Sequence, residues 1–137
     1  MNLRTIIVAV LASACLVSCG GGGDPPSPVT FAFRVHGLPA SEEFRATISS
    51  PEVIARARAQ LQLPQSERQL FANGAISPGN GGHNLGWSWH FSAVDLVESA
   101  VELCDGRPSM VEADLDYWLD TVGSFCPWAS FVYAEVP

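Results

Sequence analysis

The sequence predicts an α+β fold, in which a mainly antiparallel β-sheet carries two helices packed on one face. Several segments alternate apolar and polar residues, as half-buried strands do. Two other segments repeat apolar residues at helical spacing behind a helix start signal, and glycine- or proline-rich turns separate the segments. The predicted element order is β-α-β-β-β-α-β.

The first strand and the first helix have clear signals. Apolar residues alternate with other residues from Phe31 to His36, and Gly37-Leu38-Pro39 ends the strand. Ser49 and Glu52 have the spacing of a capping box with a proline between them, which predicts the start of a helix. The apolar stripe of this helix comprises Val53, Ile54, Ala57 and Leu61.

The central region predicts three further strands. The first, from Gln69 to Ser77, loses its alternation around Gly74, which indicates a bulge. The second is the clearest, with one face formed by Leu85, Trp87, Trp89 and Phe91. The segment from Ser92 to Cys104 is ambiguous because its valines also have near-helical spacing. A turn at Ala93 and Val94 followed by a strand to Cys104 is the preferred interpretation.

The second helix and the last strand complete the predicted fold. Ser109 and Glu112 form a second capping box, and Gly123 suits the left-handed position just after a helix. The buried stripe between them comprises Val111, Leu115, Trp118, Leu119 and Val122. The last strand is predicted from Ala129 to Val136.

The N-terminal residues predict export and a lipid anchor. The apolar run after Arg4 is shorter than the roughly 20 residues that a membrane-spanning helix needs, so residues 1–18 are interpreted as a signal peptide. Leu16-Val17-Ser18-Cys19 resembles the lipobox of bacterial lipoproteins, which implies that Cys19 carries lipid. The alternative is a plain secreted protein that is cleaved after Ala14.

The remaining chain is interpreted as a tether followed by one domain. Residues 19–28 comprise the lipidated cysteine and a glycine- and proline-rich tether, and residues 29–137 form the domain. Gly20 follows Cys19, which by resemblance places the protein in the cell envelope, at the outer membrane if the cell is Gram-negative. Seven arginines, no lysine and fourteen acidic residues give a net charge of −7, which argues against nucleic acid as a partner. A monomer is expected.

The cysteines predict one disulfide. Cys15 is lost with the signal peptide and Cys19 is lipidated, which leaves Cys104 and Cys126 in an exported chain. A metal pair or a catalytic thiol is the alternative, and the absence of a C-x-x-C motif argues against it.

Four motifs stand out in the domain: Trp87-Ser88-Trp89-His90-Phe91, the segment from Glu102 to Pro108, Tyr117-Trp118, and Phe125-Cys126-Pro127-Trp128. Together they resemble a small secreted domain family named after a cAMP-inducible slime-mould protein. The resemblance covers approximately residues 30–132, and its specific parts are Cys-Asp-Gly-x-Pro and Cys-Pro-Trp. It implies the domain and its disulfide, with no established catalytic activity and no site to transfer.

A polar strand face is the first candidate for a binding surface. Arg34 and His36 lie on the polar face of the first predicted strand, and Ser88 and His90 lie on that of the tryptophan strand. If these strands are neighbours, the four side chains form one surface. The loop from Pro78 to Asn84 is a second candidate.

No catalytic residue, metal or cofactor is predicted. Zinc would need a further ligand beside the histidines, with His83 in the glycine-rich loop as the available one. Ser88 near His90 lacks a nucleophile elbow and a third catalytic residue. The acidic residues of the second helix lack the loop that calcium sites favour, although Glu112, Asp116 and Asp120 share a face. The four tryptophans are expected in the core, unless Trp128 is exposed.

These observations favour a lipid-anchored envelope domain that binds a protein or a glycan without catalysis. Two alternatives remain open: a small hydrolase that uses His90 with a carboxylate, and a protease inhibitor that presents the loop between Cys104 and Cys126. A cleft around His90 would favour an enzyme, exposed aromatic side chains would favour binding, and a protruding loop near Cys104 would favour inhibition.

Overall fold

Two three-stranded antiparallel sheets share an aromatic core in the structure, a computed structural model that describes residues 27–137. The predicted signal peptide, Cys19 and most of the tether lie outside the described residues. The elements in chain order are β1 Val29–Val35, β2 Phe44–Ile48, α1 Pro51–Leu61, β3 Phe71–Pro78, β4 Trp89–Val97, α2 Pro108–Ala113, α3 Leu115–Tyr117, β5 Ser124–Phe125 and β6 Ser130–Val136. Within residues 27–137, no helix has the length and apolar character needed to cross a bilayer.

The strands form two separate ladders. The first sheet has the order β2-β1-β6 and the second has the order β4-β3-β5, with every pair antiparallel. The strand register shifts between Ala75 and Ile76 of β3, next to the predicted bulge at Gly74. The fold is therefore mainly antiparallel β with short helices, and the packing of both helices on one face stays a prediction.

Phe44 is the residue through which the cores of the two sheets meet. Its ring stacks on Phe33 of β1 with the centroids 5.2 Å apart. On the other side it lies 5.8 Å from the ring of Phe91 and 6.0 Å from that of Trp89, both in β4. These aromatic side chains are almost completely buried. Burying each one stabilises the fold by roughly 1.5–3 kcal/mol relative to leaving it exposed.

Helix α1 covers the core between β4 and β6. Its buried residues are Val53, Ile54 and Ala57, as the apolar stripe predicts. Arg58 pairs with Glu135 of β6 through two hydrogen bonds, and Arg56 pairs with Asp95 of β4. The helix is capped by Ser50 and not by Ser49, because the Ser50 hydroxyl accepts a hydrogen bond from the Val53 amide.

Strand β2 is absent from the predicted order. Its burial alternates over five residues, with Phe44, Ala46 and Ile48 inside and Arg45 and Thr47 partly exposed. Apolar and polar residues also alternate in the sequence here, but five residues are too few for the alternation to predict a strand. Pairing with β1 makes it a strand, in the register Phe33 opposite Phe44.

The tryptophan strand and the segment after it differ from the prediction. Strand β4 begins at Trp89, because the preceding residues form a turn in which Gly86 has a φ of 97°. The strand continues to Val97 through the predicted turn at Ala93 and Val94. The predicted strand ending at Cys104 is wrong, since Glu102–Cys104 is a 3₁₀ turn that brings Cys104 towards Cys126.

The second predicted helix is broken into shorter pieces. Helix α2 begins at Pro108 without a side-chain cap, so the Ser109–Glu112 capping box is wrong. The Glu112 carboxylate instead accepts two hydrogen bonds from Ser88. Asp114, with a φ of −142° and a ψ of 60°, interrupts the helix. A π-helical turn over Trp118–Val122 then ends at Gly123, whose φ of 71° confirms the predicted left-handed position.

Asn84 joins the two sheets by a buried side-chain bridge. Its side chain is fully buried. Its Oδ1 accepts a hydrogen bond from the Arg45 amide of β2 at 2.7 Å, and its Nδ2 donates to the Trp89 carbonyl of β4 at 2.8 Å. Because β2 and β4 belong to different sheets, this amide fixes their separation where no backbone ladder connects them.

We expect Asn84→Ala to lower the free energy of unfolding by about 3 kcal/mol, because two backbone groups lose partners at a cost of roughly 1–3 kcal/mol each. Urea denaturation of the full-length protein measures the change. Asn80→Ala is the matched control, since Asn80 lies in the same loop but is exposed, and it should cost less than about 1 kcal/mol. Equal effects of the two variants would contradict the bridging role of Asn84.

Candidate functional site

The segments around Cys104 and Cys126 form one braced corner of the molecule. A disulfide joins the two cysteines, with their Cα atoms 5.1 Å apart, which confirms the predicted pairing. The Cys126 amide also donates a hydrogen bond to the Cys104 carbonyl at 2.8 Å. Closing a loop of this size stabilises the fold by roughly 3 kcal/mol in the chain-entropy description.

Asp105 extends this brace to Trp128. Its Oδ1 accepts hydrogen bonds from the backbone amides of Gly106 and Trp128, each at 2.9 Å. Hydrogen bonds to an ionised carboxylate are stronger than neutral ones. A Cβ atom at Gly106 would lie 3.0 Å from the Trp118 ring, so this turn packs tightly against that ring. The backbone at Trp128 is thus held by the disulfide at Cys126 and by the hydrogen bond from the Trp128 amide to Asp105.

Trp128 is the exposed tryptophan of this corner. Trp89 and Trp118 are buried in the core as expected, whereas 43% of Trp128 is exposed. The preceding Pro127 is fully buried, which anchors the chain just before the exposed ring. Further large apolar side chains with at least half of their surface exposed lie on the same braced segments. We define the Trp128 surface as Trp128 with Val101, Leu103 and Met110.

Two depressions flank Trp128. The first, the Arg107 groove, has a volume of about 450 Å³, and its lining includes His36, Leu38, Arg107, Met110 and Trp128. The second, the Glu98 pocket, has a volume of about 250 Å³ and is lined by Gln69, Phe71, Glu98, Ser99, Ala100 and Trp128. Trp128 is the residue common to both, so one ring forms part of the wall of each depression.

The predicted polar face is divided between the two sheets. Arg34 of β1 pairs with Glu43 at 2.9 Å and lies over the Tyr133 ring at 3.5 Å. His36, just after β1, stacks on Phe131 with the ring centroids 4.2 Å apart. Strand β1 pairs with β2 and β6 and does not pair with β4. Strands β1 and β4 are therefore not neighbours, and the four side chains do not form the single surface that neighbouring strands would give.

Ser88 and His90 make contacts near the other sheet. The Ser88 hydroxyl donates to Glu112 at 2.8 Å, and His90 Nδ1 lies 2.7 Å from the Gly79 carbonyl oxygen. Within residues 27–137, no hydrogen bond, ion pair or ring contact connects these two residues with Arg34 or His36. Of the four predicted residues, His36 alone lines a depression beside Trp128.

His83 and His90 form a pair in the glycine-rich loop region. Their rings meet edge to face with the centroids 5.7 Å apart, and His83 Nδ1 lies 2.9 Å from the Gly81 carbonyl oxygen. Burial lowers the pKa of His83, and repulsion from His90 adds to this effect. In the part of the chain that the structure describes, no group of three or more histidine, cysteine or acidic side chains is arranged to hold a metal ion.

A family match covers the whole of the described part of the chain. A family model described as the BP-74 N-terminal domain matches residues 27–137. The chain belongs to the BP-74 N-terminal domain family. The match supports the resemblance to a small domain family and includes the disulfide, Asp105 and Trp128. Comparison with curated proteins and with solved structures gave no match.

Sequence reasoning identified part of this site. The number of cysteines predicts their pairing, and the sequence singles out Trp128 as the tryptophan that can be exposed. The role of Asp105 was missed, although its place between Cys104 and Gly106 in the most specific motif was the available signal. Gln69 and Glu98 gave no signal, because they approach Trp128 only in the folded chain.

We expect Asp105→Ala to loosen the backbone at Trp128, because two amide groups lose their common acceptor. The exchange of the Trp128 amide hydrogen should become roughly tenfold faster, which corresponds to about 1.4 kcal/mol. Hydrogen exchange followed by mass spectrometry or NMR measures this change. Asp105→Asn keeps an acceptor oxygen and should exchange nearly as slowly as the wild type; equally fast exchange in both variants would contradict this role.

We expect His83 to make the protein less stable at mildly acidic pH. Its folded-state pKa lies below its ordinary value of about 6.5, so the unfolded chain binds the proton more readily. The contribution to stability is therefore present above about pH 6.5 and is lost as the pH falls towards the folded-state pKa. Unfolding curves at pH 7.5 and pH 5 should diverge more for the wild type than for His83→Asn. The same pH dependence of the free energy of unfolding in the two proteins would contradict this role of His83.

Proposed function

We propose that the protein is a lipid-anchored module of the cell envelope that binds a protein partner through the Trp128 surface, without catalysis. The observation that carries this proposal is the exposed Trp128 ring, held by the disulfide and by Asp105. Tryptophan is enriched among the residues that dominate binding energy at interfaces. A ring whose backbone is already fixed loses little conformational freedom on binding, which favours affinity.

The residues around Trp128 support a protein partner over a glycan. Aromatic residues, methionine and arginine are enriched at protein interfaces, and Trp128, Met110 and Arg107 line the same groove. The Arg107 side chain makes no hydrogen bond or ion pair within the described residues 27–137. Val101 and Leu103 add exposed apolar surface beside the disulfide. A glycan ligand is one outcome of the experiment below.

The tether joins the domain away from the Trp128 surface. Strand β1 begins at Val29, directly after the tether, and ends at Val35. The next residue, His36, donates its amide hydrogen to the Ala129 carbonyl, one residue from Trp128. Seven residues of strand span roughly 23 Å. The tether therefore enters the domain at one end of β1, and the Trp128 surface lies near the other end.

The contacts of Ser88, His90 and Arg107 weigh against the two alternatives. A hydrolase would need a nucleophile next to a base, but Ser88 bonds to Glu112 and His90 to the Gly79 carbonyl. A protease inhibitor would need exposed residues on both sides of the bond presented to the enzyme. Pro108, which follows the exposed Arg107, is fully buried at the start of α2.

We expect Trp128→Ala to weaken partner binding by roughly thirtyfold or more, equivalent to about 2 kcal/mol for an interface hot spot. The full-length protein in lipid vesicles is incubated with an envelope extract, captured proteins are identified by mass spectrometry, and their affinities are measured with the purified partner. Circular dichroism verifies that the variant is folded.

Tyr117→Ala is the matched control for this experiment. Tyr117 is an aromatic residue with the same exposed fraction of 43%, but it lines neither depression beside Trp128. The Tyr117→Ala variant should capture the same proteins as the wild type, with unchanged affinity. Unchanged capture by Trp128→Ala would contradict the proposal, and Trp128-dependent binding of a glycan array alone would assign the surface to carbohydrate.

A further inference from the structure

The Glu98 pocket combines the groups that recognise a cationic side chain. It presents an exposed indole, a carboxylate and an amide around a space of about 250 Å³, with Phe71 contributing apolar lining. This volume suits one long side chain. It does not suit an extended chain.

The polar groups of this pocket have no partner within residues 27–137. Neither the Glu98 carboxylate nor the Gln69 amide group makes a hydrogen bond or an ion pair there, and both residues are exposed. Several other carboxylates are already engaged, by arginines, serines or backbone amides. They include Glu42, Glu43, Glu52, Asp95, Asp105, Glu112 and Glu135. Glu98 is thus available to a ligand.

Glu98 is the one charged residue in the lining of the pocket, and it belongs to the acidic C-terminal part of the chain. From Phe91 to the C-terminus the chain has nine acidic residues and a single basic residue, Arg107. Arg56 lines the neighbouring depression, which shares Glu98 and Ser99 with the pocket, but its charge is paired with Asp95. Carboxylates without counter-ions raise the local concentration of positively charged ligands.

We propose that the Glu98 pocket binds a lysine or arginine side chain of the protein partner. The charged group would lie on the face of the Trp128 ring, where an ammonium or guanidinium group is attracted to the indole, and would pair with Glu98. The aliphatic stem would pack on Phe71, as long cationic side chains do on apolar surfaces. This inference rests on the proposed function, because it names the chemistry that the Trp128 surface selects.

The test uses fluorescein-labelled peptides that differ only at a central arginine, lysine, norleucine or glutamate. Full-length protein in detergent micelles is titrated, and fluorescence anisotropy gives the dissociation constants. The arginine and lysine peptides should bind more tightly than the norleucine peptide by roughly tenfold or more, and the glutamate peptide should bind most weakly. The preference should diminish between about 50 mM and 500 mM salt, because part of it is electrostatic.

Glu98→Gln should remove the preference for arginine and lysine, whereas Glu102→Gln should retain it. Glu102 is a nearby exposed acid outside the pocket lining, so it controls for general negative charge. Equal affinity for the norleucine peptide, no binding of any peptide, or an unchanged preference in Glu98→Gln would overturn the cation pocket. The proposed function is judged separately by capture with Trp128→Ala, so its failure is distinguishable from the failure of this inference.

Discussion

The buried amide of Asn84 is the constraint on which the arrangement of the two sheets depends. Strands β2 and β4 share no backbone ladder, and the Asn84 side chain bonds to both of them. This connection sets the distance across which Phe44 meets Trp89 and Phe91. An apolar residue at this position would leave an amide and a carbonyl without partners, which is why a polar side chain occupies the interior here.

The disulfide performs a comparable task near the C-terminal end of β1, where His36 bonds to Ala129. There the core is thin, and the small cluster behind Trp128 consists of Phe71 with the two cysteines. The covalent bond and the two hydrogen bonds of Asp105 replace the packing that a larger core would supply. The result is an exposed Trp128 ring on a braced backbone.

Positive and negative charges serve different purposes in this domain. Four arginines are committed to the fold: Arg34, Arg56 and Arg58 pair with acids, and Arg68 donates to backbone carbonyls of α1, of Leu63 and of β6. Many acids of the C-terminal part remain unpaired within the described residues. Three of the six arginines in residues 27–137 are therefore paired with acids, whereas several carboxylates of the C-terminal part stay free at the surface.

Local patterns were sufficient to predict β1, α1, β6 and the Cys104–Cys126 pairing, because alternation, capping and cysteine number are local or countable properties. Contacts between distant segments were needed to make Phe44–Ile48 a strand, to break the second helix at Asp114, and to bring Glu98 and Gln69 to Trp128. They also separated Arg34 and His36 from Ser88 and His90, which the sequence had joined on the assumption of neighbouring strands. The physical reason is that each of these features depends on a partner distant in the chain. Strand β2 needs β1 as its neighbour, and Glu112 bonds to Ser88 in place of capping a helix. The pocket beside Trp128 needs walls from separate segments.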